Sequence, residues 1–134
     1  MEQDVLSNMY ARLLRNFMDV LILAKLTNDE LSGYDVFSYI NEEFDILISP
    51  GTVYSVLYSM ERDGLIKSRL TGGKRIFALT DRGESTVKAI CNSSSNIQDF
   101  IAKLLASAHF RSSSNDRDVI TASRKASGTS MKTR

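Results

Sequence analysis

Residues 49–64 read SPGTVYSVLYSMERDG. A helix can be laid out on this stretch from its first residue. Ser49 is of a type that caps helix N-termini through its side-chain oxygen, and Pro50 suits the first helical position, where its missing N–H would be unpaired in any case. Val53, Val56, Leu57 and Met60 then recur at spacings of three and one, forming one apolar stripe that faces a core. At about 100° per residue, the opposite face carries Gly51, Ser55, Ser59 and Arg62, flanked by Thr52, Tyr54 and Tyr58. That face bears small hydroxyls and tyrosines where a solvated helix would bear charge. At its N-terminal end, Gly51 and Thr52 sit where free backbone N–H groups and the positive end of the helix dipole can meet a phosphate. Tyr54 and Tyr58 have a second reading as shields for the rim of the core, and Arg62 as an ion-pair partner of Asp63 or Asp45.

On the C-terminal side come LIKSRL, TGGK and RIFALT, two short strands joined across a Gly-Gly turn. This is a β-hairpin whose tip carries Lys74 and Arg75, with little packing left for them to do. Thr80 or Asp81 caps a further helix running through Val87, Ile90, Cys91, Ile97, Ile101 and Leu104 to about residue 107, with Cys91 expected as a small buried thiol. On the N-terminal side, Ser32 and Asp35 have the spacing of a capping box opening a helix whose apolar face is Tyr34, Phe37, Ile40, Asn41 and Phe44. Ile46 to Ile48 form a short β-prone run. Before them, Leu6, Tyr10, Leu13, Phe17, Val20 and Ala24 predict one amphipathic helix over residues 3–26.

Composition narrows the function classes. A chain of 134 residues, 43% hydrophobic, has room for one small core. Its single cysteine excludes an intramolecular disulfide, and its single histidine, His109, leaves no imidazole cluster for a metal. The polar MEQD start and the lack of a long apolar run predict a soluble protein of a reducing compartment. No nucleophile with a histidine partner, carboxylate pair on a recognisable scaffold or glycine-rich phosphate loop is visible, so neither an enzyme nor a cofactor is expected. The net charge of +1 hides an uneven distribution: residues 62–82 hold six Lys and Arg against two Asp, 6 − 2 = +4. A basic ridge on an otherwise acidic body is the footprint of a polyanion site, with a solvated hairpin as its plain alternative. Residues 108–134, again 6 − 2 = +4, are Ser-rich and expected to be disordered, either a solvated end or a transient DNA arm.

Helix, helix, short strand, helix, hairpin is the order of a winged helix-turn-helix, so the expected fold is mainly α with a small β-hairpin. The combination of GYDV at 33–36, SPGTVY at 49–54, MERDGLI at 60–66 and ALTDRG at 78–83 resembles the PadR family of prokaryotic transcription regulators, over roughly residues 17–90. The resemblance implies a DNA-binding regulator, a repressor of the cytoplasm and nucleoid, with double-stranded DNA as partner and no membrane. By position, Gly33 and Tyr34 match the family's Gly-Tyr at the start of the second helix. Ser49, Pro50, Gly51, Thr52 and Tyr54 match the start of its recognition helix, and Lys74 and Arg75 match its basic wing. The DNA-binding set expected from both readings is Tyr34, Ser49, Gly51, Thr52, Tyr54, Ser55, Tyr58, Arg62, Lys74 and Arg75. Departures occur at Tyr58 and Ser59, often basic in relatives, and at Phe77 and Ala78, so no relative's operator transfers. Members can take a small-molecule effector in a dimer cleft, and no residue here identifies one.

The expected organisation is a winged-helix domain over 1–80, a dimerisation helix over 81–107 and the basic tail over 108–134. As one helix, residues 82–107 would span about 39 Å, longer than one small domain covers. Val87, Ile90, Ser94, Ile97, Ile101 and Leu104 give it a coiled-coil-like seam, interrupted by the poor helix formers of Asn92 to Asn96. A homodimer through Leu6, Tyr10, Val87, Ile90, Ile97, Ile101 and Leu104 follows. The alternative from another class is a winged-helix protein-interaction module without sequence-specific DNA binding, favoured by the weakly charged outward face of the 49–64 helix.

Overall fold

The structure, a computed structural model, describes residues 1–108. It divides into two compact units, Met1–Cys91 and the segment from Asn92 onward. In the first unit, helices α1 (Glu2–Asn16), α2 (Met18–Leu26), α3 (Gly33–Phe44), α4 (Pro50–Arg62) and α5 (Asp81–Asn92) accompany strands β1 (Leu31–Ser32), β2 (Ile66–Thr71) and β3 (Lys74–Leu79). The strands form one antiparallel sheet in the order β1-β3-β2. The described part of the second unit is helix α6 (Ser94–Ser107). His109 and nearly all of the basic tail lie outside the described residues.

The core joins Met18, Ile22, Leu23 and Leu26 of α2 to Val36 and Ile40 of α3, Val53, Leu57 and Met60 of α4, Ile66 of β2, Phe77 of β3 and Val87 of α5. Phe77 is fully buried at the centre of β3, opposite Leu31 on one side and Ser68 on the other. Each such side chain contributes about 1.5–3 kcal/mol by leaving water, enough for this cluster to hold the helices on the sheet.

Local chemistry sets the ends of the elements. Ser32 accepts from the Asp35 N–H and the Asp35 carboxylate accepts from the Ser32 N–H, both at 3.1 Å, so the capping box forms as the spacing predicts. Helix α4 ends in a Schellman motif: the Gly64 N–H donates to the Glu61 carbonyl and the Leu65 N–H to the Met60 carbonyl, both at 3.0 Å, with Gly64 at φ 77°. The chain thereby turns straight from α4 into β2. Gly72 and Gly73, at φ 56° and 78°, make the two-residue turn that matches the twist of a hairpin. Thr80 caps α5, accepting from the Gly83 N–H at 3.1 Å while its hydroxyl donates to the Gly64 carbonyl at 2.6 Å.

Several expected elements differ. Residues 3–26 form two helices separated at Phe17, and the core takes Leu14 and Met18, leaving the Leu6, Tyr10, Leu13 and Phe17 stripe exposed. The α3 face is likewise rotated: Val36 and Ile40 are buried, whereas Tyr34 and Phe44 are exposed. Residues 46–48 are not a strand, because no strand among the described residues lies alongside to pair with them; the third strand is Leu31–Ser32. Asn41 explains the loop instead, its side chain donating to the Phe37 carbonyl at 2.9 Å and accepting from the Ile48 N–H at 3.1 Å. The single helix expected over 82–107 is interrupted at Ser93, inside the Asn92 to Asn96 cluster of poor helix formers. Cys91 is exposed, not buried.

Candidate nucleic-acid interface

Helix α4 presents Gly51, Ser55, Tyr58 and Arg62 to solvent along one line. Ser49 caps it, accepting from the Thr52 N–H at 3.2 Å, and the two hydroxyls lie 2.8 Å apart. With Pro50 lacking an N–H and Thr52 engaged by the cap, the Gly51 N–H is the first-turn donor without a partner among the described residues. A Cβ built on Gly51 would meet nothing closer than the Ser49 Oγ at 4.0 Å, so the approach is open. Arg62 takes part in no ion pair among the described residues, so the pairing with Asp63 or Asp45 does not form.

Tyr54 is half-buried, and its ring lies against Gly33 of α3. A Cβ at Gly33 would stand 2.6 Å from Tyr54 Cζ and 2.8 Å from its hydroxyl oxygen, so the glycine exists here to admit the tyrosine. Tyr54 thus holds α4 on the start of α3. Its ring also pairs with that of Tyr58, with centroids 6.1 Å apart. Tyr34, one residue after Gly33, is 68% exposed and leans on Phe37.

The hairpin separates its cations by face. Antiparallel pairing sets Leu70 opposite Arg75 and Thr71 opposite Lys74, and successive strand residues point to opposite sides. Lys74 therefore shares a face with Lys67's cross-strand neighbour Ala78 and with Arg69, whereas Arg75 shares one with Ser68 and Phe77. Arg75 donates to the Ser68 Oγ at 2.9 Å, and that hydroxyl donates to Glu61 of α4 at 2.5 Å. Arg69 pairs with Glu30 at 2.8 Å. Of the six basic side chains in residues 62–82, Arg69 and Arg75 are therefore bonded within the chain, while Arg62, Lys67, Lys74 and Arg82 have no partner among the described residues.

Sequence reasoning counts Lys67 in the basic ridge of residues 62–82 without placing it in the expected DNA-binding set, and it gives Ser68 and Glu61 no role. Ser68 was within reach, because a turn at Gly72 and Gly73 fixes the pairing register and places Ser68 diagonal to Arg75. Of the residues expected at a two-fold interface, Leu6, Tyr10 and Leu104 are exposed and Ile90, Ile97 and Ile101 half-buried. Val87, at 5% exposure, belongs to the chain's own core and is not available to a partner. Among the described residues, no group of acidic, histidine or cysteine side chains could hold a metal ion, and no helix is long and apolar enough to cross a membrane.

Comparison with known proteins agrees with this fold. A transcriptional regulator from Clostridium thermocellum is 26% identical, with a TM-score of 0.60 over 69% of this chain and 93% of its own. A PadR-like transcriptional regulator from Bacillus cereus is 23% identical, with a TM-score of 0.61 over 70% of this chain and 96% of its own. A winged-helix DNA-binding protein from STIV shares the fold at 21% identity, with a TM-score of 0.52 over 63% of this chain and 91% of its own. No curated protein matches the chain. The family model of the transcriptional regulator PadR-like family matches residues 22–89, or 89 − 22 + 1 = 68 of 134 residues. That segment opens inside α2 and closes inside α5, taking in the capping box, the open face of α4 and the whole wing. The chain belongs to the PadR-like family of transcriptional regulators, which are not enzymes.

Proposed function

We propose that the chain is a DNA-binding repressor that acts as a homodimer on an inverted-repeat operator in the prokaryotic cytoplasm. The observation that carries this reading is the open line of Gly51, Ser55, Tyr58 and Arg62 on α4, next in the chain to a hairpin rich in cations. A helix with an unobstructed N-terminal end fits the major groove, and the hairpin reaches neighbouring phosphates. Ser49, Gly51, Thr52 and Tyr34 position the helix on the backbone; Ser55, Tyr58 and the edge of Tyr54 meet the groove. Contact through single hydroxyl hydrogen bonds discriminates bases less strongly than a bidentate arginine does, so specificity rests partly on DNA shape and on the doubling of half-sites.

The dimer is supported by two unsatisfied apolar surfaces. Helix α6 has no buried residue, with Phe100, Leu104 and Leu105 exposed along it, and an isolated helix of this length is marginal in water. Helix α1 exposes Val5, Leu6, Tyr10 and Leu13. A two-fold pair joined through these stripes sets two recognition helices about one DNA turn apart, roughly 34–36 Å, or a multiple of it. The competing reading, a protein-interaction module, draws on the weak charge of the outward α4 face. Binding of the purified chain to mixed-sequence duplex DNA across a salt series decides between them: a DNA-binding chain releases counterions and loses affinity steeply as salt rises, whereas an interaction module shows no retention.

A further inference from the structure

A carboxylate beside a DNA-binding surface repels the ligand unless it has another task. Glu61 lies in the last turn of α4, the helix proposed to enter the groove, and its partner is Ser68 of β2. Ser68 has one hydroxyl proton, which goes to Glu61 at 2.5 Å, and its oxygen accepts from Arg75 of β3 at 2.9 Å. The chain of bonds is therefore directional, from guanidinium N–H to hydroxyl to carboxylate, with a charge at each end of a neutral link. Charge-assisted bonds of this kind are shorter and stronger than neutral ones, and each polarises the next. Among the described residues one of the five guanidinium N–H donors is used, and Arg75 is exposed, so the others are open to a ligand. Leu70, opposite Arg75 and 70% exposed, packs too little to hold the arginine by itself.

We propose that Ser68 and Glu61 are positioning residues that tie the wing to the recognition helix and hold Arg75 in place to contact a DNA phosphate. The inference rests on the DNA-binding reading above. Arginine loses much rotamer freedom when it is fixed at a surface, and a guanidinium already held in place loses less on binding. Ser68 is the informative position, because its replacement changes geometry without changing charge.

The test is a double-mutant cycle with S68A, R75A and the pair, read as affinity for a mixed-sequence DNA duplex at several salt concentrations, with thermal melts for each variant. S68A is expected to weaken binding about fivefold. S68T, which keeps the hydroxyl, should restore it. R75A should weaken binding further and lower the salt slope by about one. In the R75A background, S68A should then have no further effect, since the serine acts through the arginine. If S68A binds as wild type, or weakens binding by the same factor with and without Arg75, the positioning role is overturned while DNA binding stands. A wild-type chain that is not retained on DNA at any salt overturns the DNA-binding reading, and this inference with it.

Discussion

Gly33 and Gly83 are both buried at the start of a helix, yet they are small for different reasons. A side chain at Gly33 would meet the Tyr54 ring, the end of a side chain that can swing away. A side chain at Gly83 would collide with the Leu65 carbonyl oxygen and stand 3.1 Å from its carbonyl carbon, backbone held between α4 and β2. Gly83→Ala should therefore destabilise by about 2–3 kcal/mol in chemical denaturation. Gly33→Ala should cost less stability but displace Tyr54. Tyr54→Phe separates the two roles of that residue: packing on Gly33 survives, and loss of the hydroxyl should lower DNA affinity by about 0.5–1.5 kcal/mol, measured by fluorescence anisotropy. Unchanged affinity would assign Tyr54 to the core rim alone. At this scale the sequence shows which residues are small or capping, because those choices are local. It hides the partner: nothing in the GYDV stretch announces a ring 21 positions away, between Gly33 and Tyr54.

For the elements, local signals were legible and orientations were not. Ser32 with Asp35, Ser49 with Pro50, and Gly72 with Gly73 mark their helices and turn in the letters, since a cap or a positive φ is settled within four residues. The buried faces of α1 and α3 were misread because stripes richer in aromatic residues run beside the ones the core takes. Tyr10 and Phe17 outweigh Leu14 and Met18 in a periodicity count, although the core takes the latter pair. Pairing across the hairpin was equally invisible until the register was known, and it changes what the wing should do. Lys74 and Arg75, adjacent in sequence, face opposite ways. Among the described residues, it is the face carrying Arg75 that is bonded to α4, so Arg75→Ala should lower the salt slope of DNA binding by about one, whereas Lys74→Ala should leave it near the wild-type value. A Lys74→Ala variant with the lower slope would place the phosphate on the other face of the hairpin.

Among the described residues each unit exposes apolar side chains: Leu6, Tyr10, Leu13 and Phe17 in the first, and Phe100, Leu104 and Leu105 in the second. Burial of several such side chains, at about 1.5–3 kcal/mol each, exceeds what a helix break at Ser93 gives away. The chain should accordingly sediment as a dimer at micromolar concentration, and Ile97→Asp with Ile101→Asp should reduce it to a monomer. A double variant that stays dimeric would remove α6 from the interface. Dimerisation alone, however, does not make a repressor. Sequence-specific binding is tested by footprinting of the purified chain on genomic DNA at physiological salt. Discrete protected sites are expected, each containing an inverted repeat with half-sites one helical turn, about 10 base pairs, or a multiple of it apart. Protection spread evenly along the DNA, or none at all, would contradict sequence-specific binding by α4 and its wing.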